Sequence, residues 1–135
     1  GITTLKSFGI SEAANMPEPY VIFFRQLRFY TELSDAFLVH AGFNFKAPDP
    51  FKDYESMVWI RGYKVDEAKT KGKRIIHGHT PIPFTKIKRA VENRDLAIDI
   101  DNGCAYPMPG MQGLVALNLD TFELIRQPNI DGSDN

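Results

Sequence analysis

Two short apolar runs that end in histidine and glycine constrain the fold of this chain more than any other feature. One run, residues 37–42, reads FLVHAG, and the other, residues 74–81, reads RIIHGHTP. An apolar or β-branched run that stops in such a sequence predicts a buried strand opening into a loop. Ligands of α/β sheets collect beyond the carboxyl ends of strands. The three histidines, His40, His77 and His79, therefore predict a metal site that handles a small anion such as phosphate.

The bulk composition indicates one ordinary domain. The chain has 135 residues, 43% of them hydrophobic, which is enough for a buried core. Its 16 basic and 17 acidic residues give a net charge of −1, which does not favour a nucleic-acid or membrane surface. The single cysteine, Cys104, cannot form an internal disulfide, which favours a reducing, cytoplasmic location.

Periodicity predicts an α/β chain that ends in a hairpin. A helix is predicted over residues 20–33 and a brief one over residues 65–71. Short strands are predicted over residues 36–39, 74–76 and 96–100, and an antiparallel β-hairpin over residues 114–119 and 122–125. Residues 1–19 are predicted to be loop with one short element, residues 53–61 either helical or irregular, and residues 127–135 a frayed polar tail. A basic stretch is predicted to be a solvated face: Lys86, Lys88, Arg89 and Arg94.

His40 and His79 are the candidate metal ligands. They lie 39 residues apart, so only tertiary structure can bring them together. Neutral imidazole binds Zn, Mn or Fe, but two imidazoles leave a metal under-coordinated, so carboxylates or an amide must complete the shell. The alternative for each histidine is a hydrogen-bonded structural residue.

Other residues near these runs have two interpretations each. Arg61, after an apolar pair, is either a guanidinium that binds phosphate or a solvated surface group. Asp99 and Asp101 share a strand face and are either paired carboxylates for acid–base chemistry or, for Asp101, a turn cap before Asn-Gly. Gly42 and Gly78 permit positive φ and a close approach of the backbone to a ligand, or simply form tight turns.

The order of these motifs resembles that of the calcineurin-like metallophosphoesterases, and most closely their bacterial and phage serine/threonine protein phosphatases. The motifs are VHAG at residues 39–42, WIR at 59–61, HGHTP at 77–81 and IDNGC at 100–104. The resemblance covers residues 1–125. It implies that residues 1–126 form the C-terminal half of that family's four-layer α/β/β/α sandwich, ending in an antiparallel β-hairpin and followed by a flexible tail over residues 127–135.

The resemblance also implies a chemistry. In that family two divalent metal ions, which are Mn, Fe or Zn, activate a water or hydroxide that attacks phosphorus in line. His40 and His79 correspond to ligands of the second metal, and Arg61 to the residue that binds the phosphate. His77 is expected to be a neighbour of the site rather than a ligand. The expected substrate is a phosphoprotein or a small phosphoester.

Three motifs of the family's first half do not occur in this sequence: Gly-Asp-x-His, Gly-Asp-x-x-Asp-Arg-Gly and Gly-Asn-His-Glu. They supply the first metal's ligands, the bridging aspartate and the acid histidine. The chain is therefore expected to carry only part of the site, to hold at most one metal weakly, and to be nearly inactive alone. It is also expected to expose an apolar sheet edge that favours self-association. The alternatives are a diadenosine polyphosphate or other small phosphoester hydrolase, or a non-catalytic module that binds a partner or phosphate.

Overall fold

A four-stranded mixed sheet carries both histidine-bearing runs in a computed structural model that describes residues 1–130. Its strands, in both sequence and spatial order, are β1 (Tyr30–Glu32), β2 (Ala36–Val39), β3 (Arg74–His77) and β4 (Ala97–Asp99). Strand β1 pairs antiparallel with β2, whereas β2, β3 and β4 are parallel. The carboxyl ends of β2, β3 and β4 therefore meet at one edge of the sheet, which we call the carboxyl edge.

A separate two-stranded hairpin and five helices complete the described fold. The hairpin pairs β5 (Gly113–Leu117) with β6 (Leu124–Pro128). The helices are α1 (Ile2–Ser7), α2 (Glu18–Gln26), α3 (Tyr54–Trp59), α4 (Glu67–Thr70) and α5 (Phe84–Glu92), and a 3₁₀ turn spans Ala13–Asn15. The fold is thus mixed α/β, with a four-stranded mixed sheet and an antiparallel hairpin. Among residues 1–130, no helix is long and apolar enough to cross a membrane.

The sheet separates two hydrophobic clusters because successive side chains of a strand point to opposite faces. Ile75 belongs to a cluster with Phe37, Val39, Phe43 and Met57. On the other face, the buried members of the second cluster are Ala36, Ile76, Val91 and Ile98. The β-branched residues of β3 are therefore buried on both faces, which is typical of a strand inside a parallel sheet.

Local side-chain chemistry fixes where the short helices begin. The Asp53 carboxylate accepts the Ser56 N–H at 3.1 Å and caps α3, so the ambiguous residues 53–61 are helical over α3. The Asp66 carboxylate caps α4 in the same way, and α4 ends at Thr70, followed by Lys71 in the left-handed region with φ 56°. The brief helix predicted over residues 65–71 is confirmed in type, although α4 is shorter.

The helix predicted over residues 20–33 is wrong in its second half. Helix α2 ends at Gln26, Leu27 is extended, and residues 30–32 form β1 instead. The physical reason is tertiary, because the Tyr30 ring packs 5.6 Å from that of Phe43 while its backbone pairs with β2. Strand pairing and aromatic packing here override a helical spacing of apolar residues.

Helix α5 is absent from the sequence prediction. It follows Pro83, which suits the start of a helix, and buries Ile87 and Val91 four residues apart. The basic side chains predicted to form a solvated face lie on and beside this helix and are exposed, as predicted: Lys86, Lys88, Arg89 and Arg94. The predicted strands are confirmed, and the hairpin is confirmed in type, although its second strand spans Leu124–Pro128 rather than residues 122–125. The polar tail predicted over residues 127–135 is wrong at its start, because Gln127 and Pro128 belong to β6 and pair with Leu114 and Gly113. Residues 131–135 of this tail lie outside the described part of the chain.

Candidate functional site

The two candidate ligands meet at the carboxyl edge. Nε2 of His40 lies 3.0 Å from Nδ1 of His79, and we call these two rings the imidazole pair. His40 follows β2 directly, and His79 lies two residues beyond the end of β3. The backbone N–H of Gly78 donates to the carbonyl of His40 at 2.8 Å, which fixes the two strand ends against each other.

The separation of the two nitrogens suits either a shared metal ion or a direct hydrogen bond. Two nitrogens that each lie 2.0–2.1 Å from one metal ion are about 3.3 Å apart at the tetrahedral angle that zinc prefers, and about 2.9 Å apart at the right angle of an octahedral site. A hydrogen bond between one protonated and one unprotonated ring nitrogen has the same length. The 3.0 Å spacing of the imidazole pair is therefore compatible with two ligands of one divalent metal and equally with a direct hydrogen bond between the rings.

The backbone of His79 adopts an unusual conformation. Its φ is 76°, in the left-handed region that non-glycine residues rarely occupy. Strained backbone of this kind clusters at functional sites. Of the two glycines that permit positive φ, Gly42 adopts it, at 144°, and Gly78 does not. Gly78 instead permits close approach, because a Cβ there would lie 3.3 Å from the Cβ of Asp101.

The electrostatics of His79 favour the neutral ring. Partial burial lowers its pKa, and the nearby His40 and Arg61 side chains lower it further. The Asp101 carboxylate and the backbone of Trp59 act in the opposite direction. Its Nε2 is buried and makes no hydrogen bond of ordinary geometry within the described residues. Neutral imidazole is the form that binds metal.

Arg61 lies beside the imidazole pair. It is exposed, two residues beyond the end of α3, and its charge acts on His79. The Trp59 ring, at the end of the same helix, meets the His79 ring edge-on at a centroid distance of 5.9 Å. The segment that follows α3 thus places the Arg61 guanidinium at the same edge as the two imidazoles.

Two aspartates, Asp99 at the end of β4 and Asp101 just after it, organise a turn. Asp101 accepts the Gly103 N–H at 2.9 Å, which confirms the turn cap, and its own N–H donates to Asp99 at 2.8 Å. Partial burial, with a smaller effect from the Asp101 charge, raises the pKa of Asp99 to about 7. Cys104 is partly exposed and lines a cavity of about 290 Å³ beside the imidazole pair.

His77 does not join the imidazole pair. Its Nδ1 lies 3.2 Å from the Gly78 carbonyl, and its ring packs against that of Tyr63 at 5.5 Å. Burial lowers the pKa of His77. The structure therefore brings together His40, His79 and Arg61 and places His77 beneath them as a neighbour.

Two features of this edge were not anticipated from the sequence. Tyr63 packs beneath the site, and its only sequence cue is its position two residues after Arg61. The buried Asn102 side chain donates to the Ile82 carbonyl at 3.0 Å and to the Gly110 carbonyl at 2.9 Å, and so braces the loop after β4. The sequence Asn102-Gly103 predicted only a turn.

The carboxylates expected to complete a metal shell do not converge, since residues 1–130 contain no cluster of three or more His, Cys, Asp or Glu side chains suited to a metal.

Comparison of the chain with protein-family models, with curated proteins and with solved structures finds no match.

Proposed function

We propose that this chain contributes part of the active site of a metal-dependent phosphoester hydrolase, with a serine/threonine protein phosphatase of the calcineurin-like class as the leading candidate. The observation that carries the proposal is the 3.0 Å approach of His40 Nε2 to His79 Nδ1, with Arg61 beside it. In this proposal, the four-stranded sheet and its hairpin belong to the C-terminal half of that family's sandwich.

His40 and His79 supply only two of the ligands that one divalent ion needs. Two neutral imidazoles suit Mn, Fe or Zn, and the surroundings of His79 lower its pKa, which favours the neutral form. No further cluster of ligands exists in the described residues 1–130. We therefore propose that this chain alone holds one metal weakly, and that the remaining ligands of a two-metal site come from residues it does not contain.

Each residue at the edge has a distinct role in this proposal. When bound, divalent ions would lower the pKa of a coordinated water and would offset negative charge on the phosphate oxygens. His40 and His79 hold and orient one ion, while the guanidinium of Arg61 binds phosphate oxygens and stabilises their negative charge. A positioned acid that protonates a leaving oxygen contributes about 10²–10⁴ in rate. In this proposal none of these three residues is that acid, so almost no turnover is expected from this chain alone.

A non-catalytic module is the second candidate, because only two imidazoles converge among the described residues. Such a module binds phosphate or a phosphorylated partner through Arg61 and a weakly held metal without turnover. The two candidates differ when a second chain carrying the Gly-Asp-x-His and Gly-Asn-His-Glu motifs is added. Turnover that appears on mixing favours the hydrolase, and binding without turnover favours the module.

Calorimetric titration with Mn²⁺, and then with inorganic phosphate in its presence, tests the shared part of the proposal. We expect His79→Ala to abolish both binding events and Arg61→Ala to abolish phosphate binding alone. Arg89→Ala, at an exposed arginine of α5, is the matched control and should change neither. Phosphate binding that survives Arg61→Ala contradicts the proposed role of Arg61.

Turnover of p-nitrophenyl phosphate with Mn²⁺ tests the partial-site claim. We expect no turnover by the chain alone. Metal-dependent turnover that His79→Ala abolishes would show that these residues suffice for catalysis, and the claim that the site is incomplete would then be wrong.

A further inference from the structure

The ring of Tyr63 lies directly against the turn that follows His40. Gly42 has φ 144°, and a Cβ built on it would overlap Cε1 of the Tyr63 ring. The tyrosine thus occupies the space that any side chain at position 42 would need. Because Gly42 follows His40 by two residues, this contact joins Tyr63 to the strand end that carries the first imidazole.

The same ring also contacts the strand end that carries the second imidazole. The centroid of Tyr63 lies 5.5 Å from that of His77, with an angle of 52° between the rings. His77 precedes His79 by two residues and is the last residue of β3. A single side chain therefore touches the chain close to both members of the imidazole pair.

Residues 61–65, which carry Arg61, have no backbone attachment of their own. Within the described part of the chain, none of the hydrogen bonds involves the backbone of this segment. Its attachment comes from two partly buried side chains, Tyr63 and Val65, which pack against the cluster containing Phe43. Tyr63 also contacts Gly42, which follows β2 closely, and His77 at the end of β3.

The hydroxyl of Tyr63 does not account for this attachment. It is buried and has no hydrogen-bond partner among the described residues. Burial, assisted by the nearby Asp99 charge, raises the pKa of Tyr63, so the phenol stays neutral. The aromatic ring, rather than the polar group, makes the contacts with Gly42 and His77.

We propose that Tyr63 is a positioning residue whose ring holds the Arg61 segment against the strand ends of His40 and His79. The proposal rests on the proposed function, in which Arg61 binds phosphate beside a metal held by the imidazole pair. Tyr63 itself touches neither metal nor phosphate. Its effect is to keep the guanidinium at a fixed place relative to the two imidazoles.

Backbone order parameters of the metal-free protein test this proposal without relying on metal binding. We expect Tyr63→Leu to lower the order parameters of Arg61 and Gly62 from about 0.85, typical of rigid backbone, to below about 0.6. Tyr63→Phe, which keeps the ring, should leave them unchanged. Tyr30→Leu is the matched control, because Tyr30 packs in the same aromatic cluster but belongs to β1.

Unchanged order parameters in Tyr63→Leu would overturn the proposal. A similar decrease in Tyr30→Leu would overturn it as well, because the effect would then reflect general loosening of the core. If Tyr63→Leu does not fold, Tyr63→Met, which also removes the ring at similar volume, is judged by the same criteria. A decrease in Tyr63→Phe would show that the hydroxyl is required and would contradict the ring-based account.

Titration with inorganic phosphate in the presence of Mn²⁺ then separates this proposal from the proposed function. We expect Tyr63→Leu to weaken phosphate binding by at least about tenfold, because the Arg61 guanidinium would lose a charged hydrogen bond to the phosphate. Mn²⁺ affinity should stay unchanged. If the unaltered chain binds neither ion, the proposed function fails, and the order parameters still decide the role of Tyr63. Mn²⁺ and phosphate affinities that fall equally would contradict a role specific to Arg61.

Discussion

Nε2 of His40 lies 3.0 Å from Nδ1 of His79, although 39 residues separate the two histidines in the chain. The parallel pairing of β2 with β3 produces this approach, and the hydrogen bond from the Gly78 N–H to the His40 carbonyl fixes it. The relationship does not depend on a flexible loop, because each imidazole lies within two residues of a strand.

The strained backbone of His79 predicts an unusual order of stabilities. Since φ at this position is 76°, glycine should be tolerated better than alanine. We expect His79→Gly to have a free energy of unfolding about 1 kcal/mol higher than His79→Ala. Urea unfolding of the two variants measures the difference. At His40, whose φ is not positive, the same two substitutions should show no such advantage for glycine, and an alanine variant at position 79 as stable as the glycine variant would contradict the prediction.

The raised pKa of Asp99 predicts a pH dependence of stability. Burial raises the pKa from 3.8 to about 7, so between these values the folded state binds more protons than the unfolded state. The stabilisation from the protonated carboxyl is therefore complete below pH 3.8 and is lost as pH rises through 7. Because the side chain is partly exposed, we expect a loss of no more than about 2 kcal/mol.

Asp99→Asn isolates this contribution. Asparagine keeps an oxygen that can accept the Asp101 N–H, but it does not titrate. Unfolding free energies measured from pH 4 to pH 8 should fall more steeply in the unaltered protein than in the variant. Parallel pH profiles would show that Asp99 has an ordinary pKa.

The contact between Gly42 and Tyr63 predicts a non-additive pair of mutations. A methyl group at position 42 overlaps the ring and also requires a disfavoured φ, so Gly42→Ala should cost about 2–4 kcal/mol of unfolding free energy. In the Tyr63→Ala background, the same substitution should cost less because the steric overlap is gone. A double-mutant cycle by urea unfolding measures the coupling. Additive costs would contradict direct contact between the two residues.

The unpartnered hydroxyl of Tyr63 predicts that its removal does no harm. A buried hydroxyl without a hydrogen bond lowers the free energy of unfolding, so Tyr63→Phe should be as stable as the unaltered protein or up to about 1 kcal/mol more stable. Thermal and urea unfolding provide the measurement. A loss of more than about 1 kcal/mol would show that the hydroxyl donates a hydrogen bond, for example to Asp99.

Features encoded in short stretches of sequence were predictable. The β-branched run at Ile75 and Ile76 indicated a buried strand, and the histidines that follow such runs indicated the edge where they meet. The spacing of Asp101 from Gly103 indicated a turn cap, which the hydrogen bond between them confirms. Each of these signals depends on neighbours within a few residues.

Features that depend on tertiary contacts were not predictable. The helical spacing of residues 20–33 concealed β1, because the pairing of Tyr30 with Val39 is decided by a strand that comes later in the chain. Helix α5 is an exception among the elements missing from the sequence prediction, because Pro83 and the four-residue spacing of Ile87 and Val91 are local signals typical of a helix. Tyr63 gave no local sign of its place against Gly42, since their contact joins distant parts of the sequence.

The most direct test of the account is a Zn²⁺ titration of the metal-free protein, followed through the ¹⁵N chemical shifts of the histidine rings. We expect Nε2 of His40 and Nδ1 of His79 to shift together, because these two atoms face each other at 3.0 Å. The ring nitrogens of His77, which packs against Tyr63, should not shift in step with them. Shifts confined to His77, or no shift at His40 and His79, would contradict a metal site at the imidazole pair.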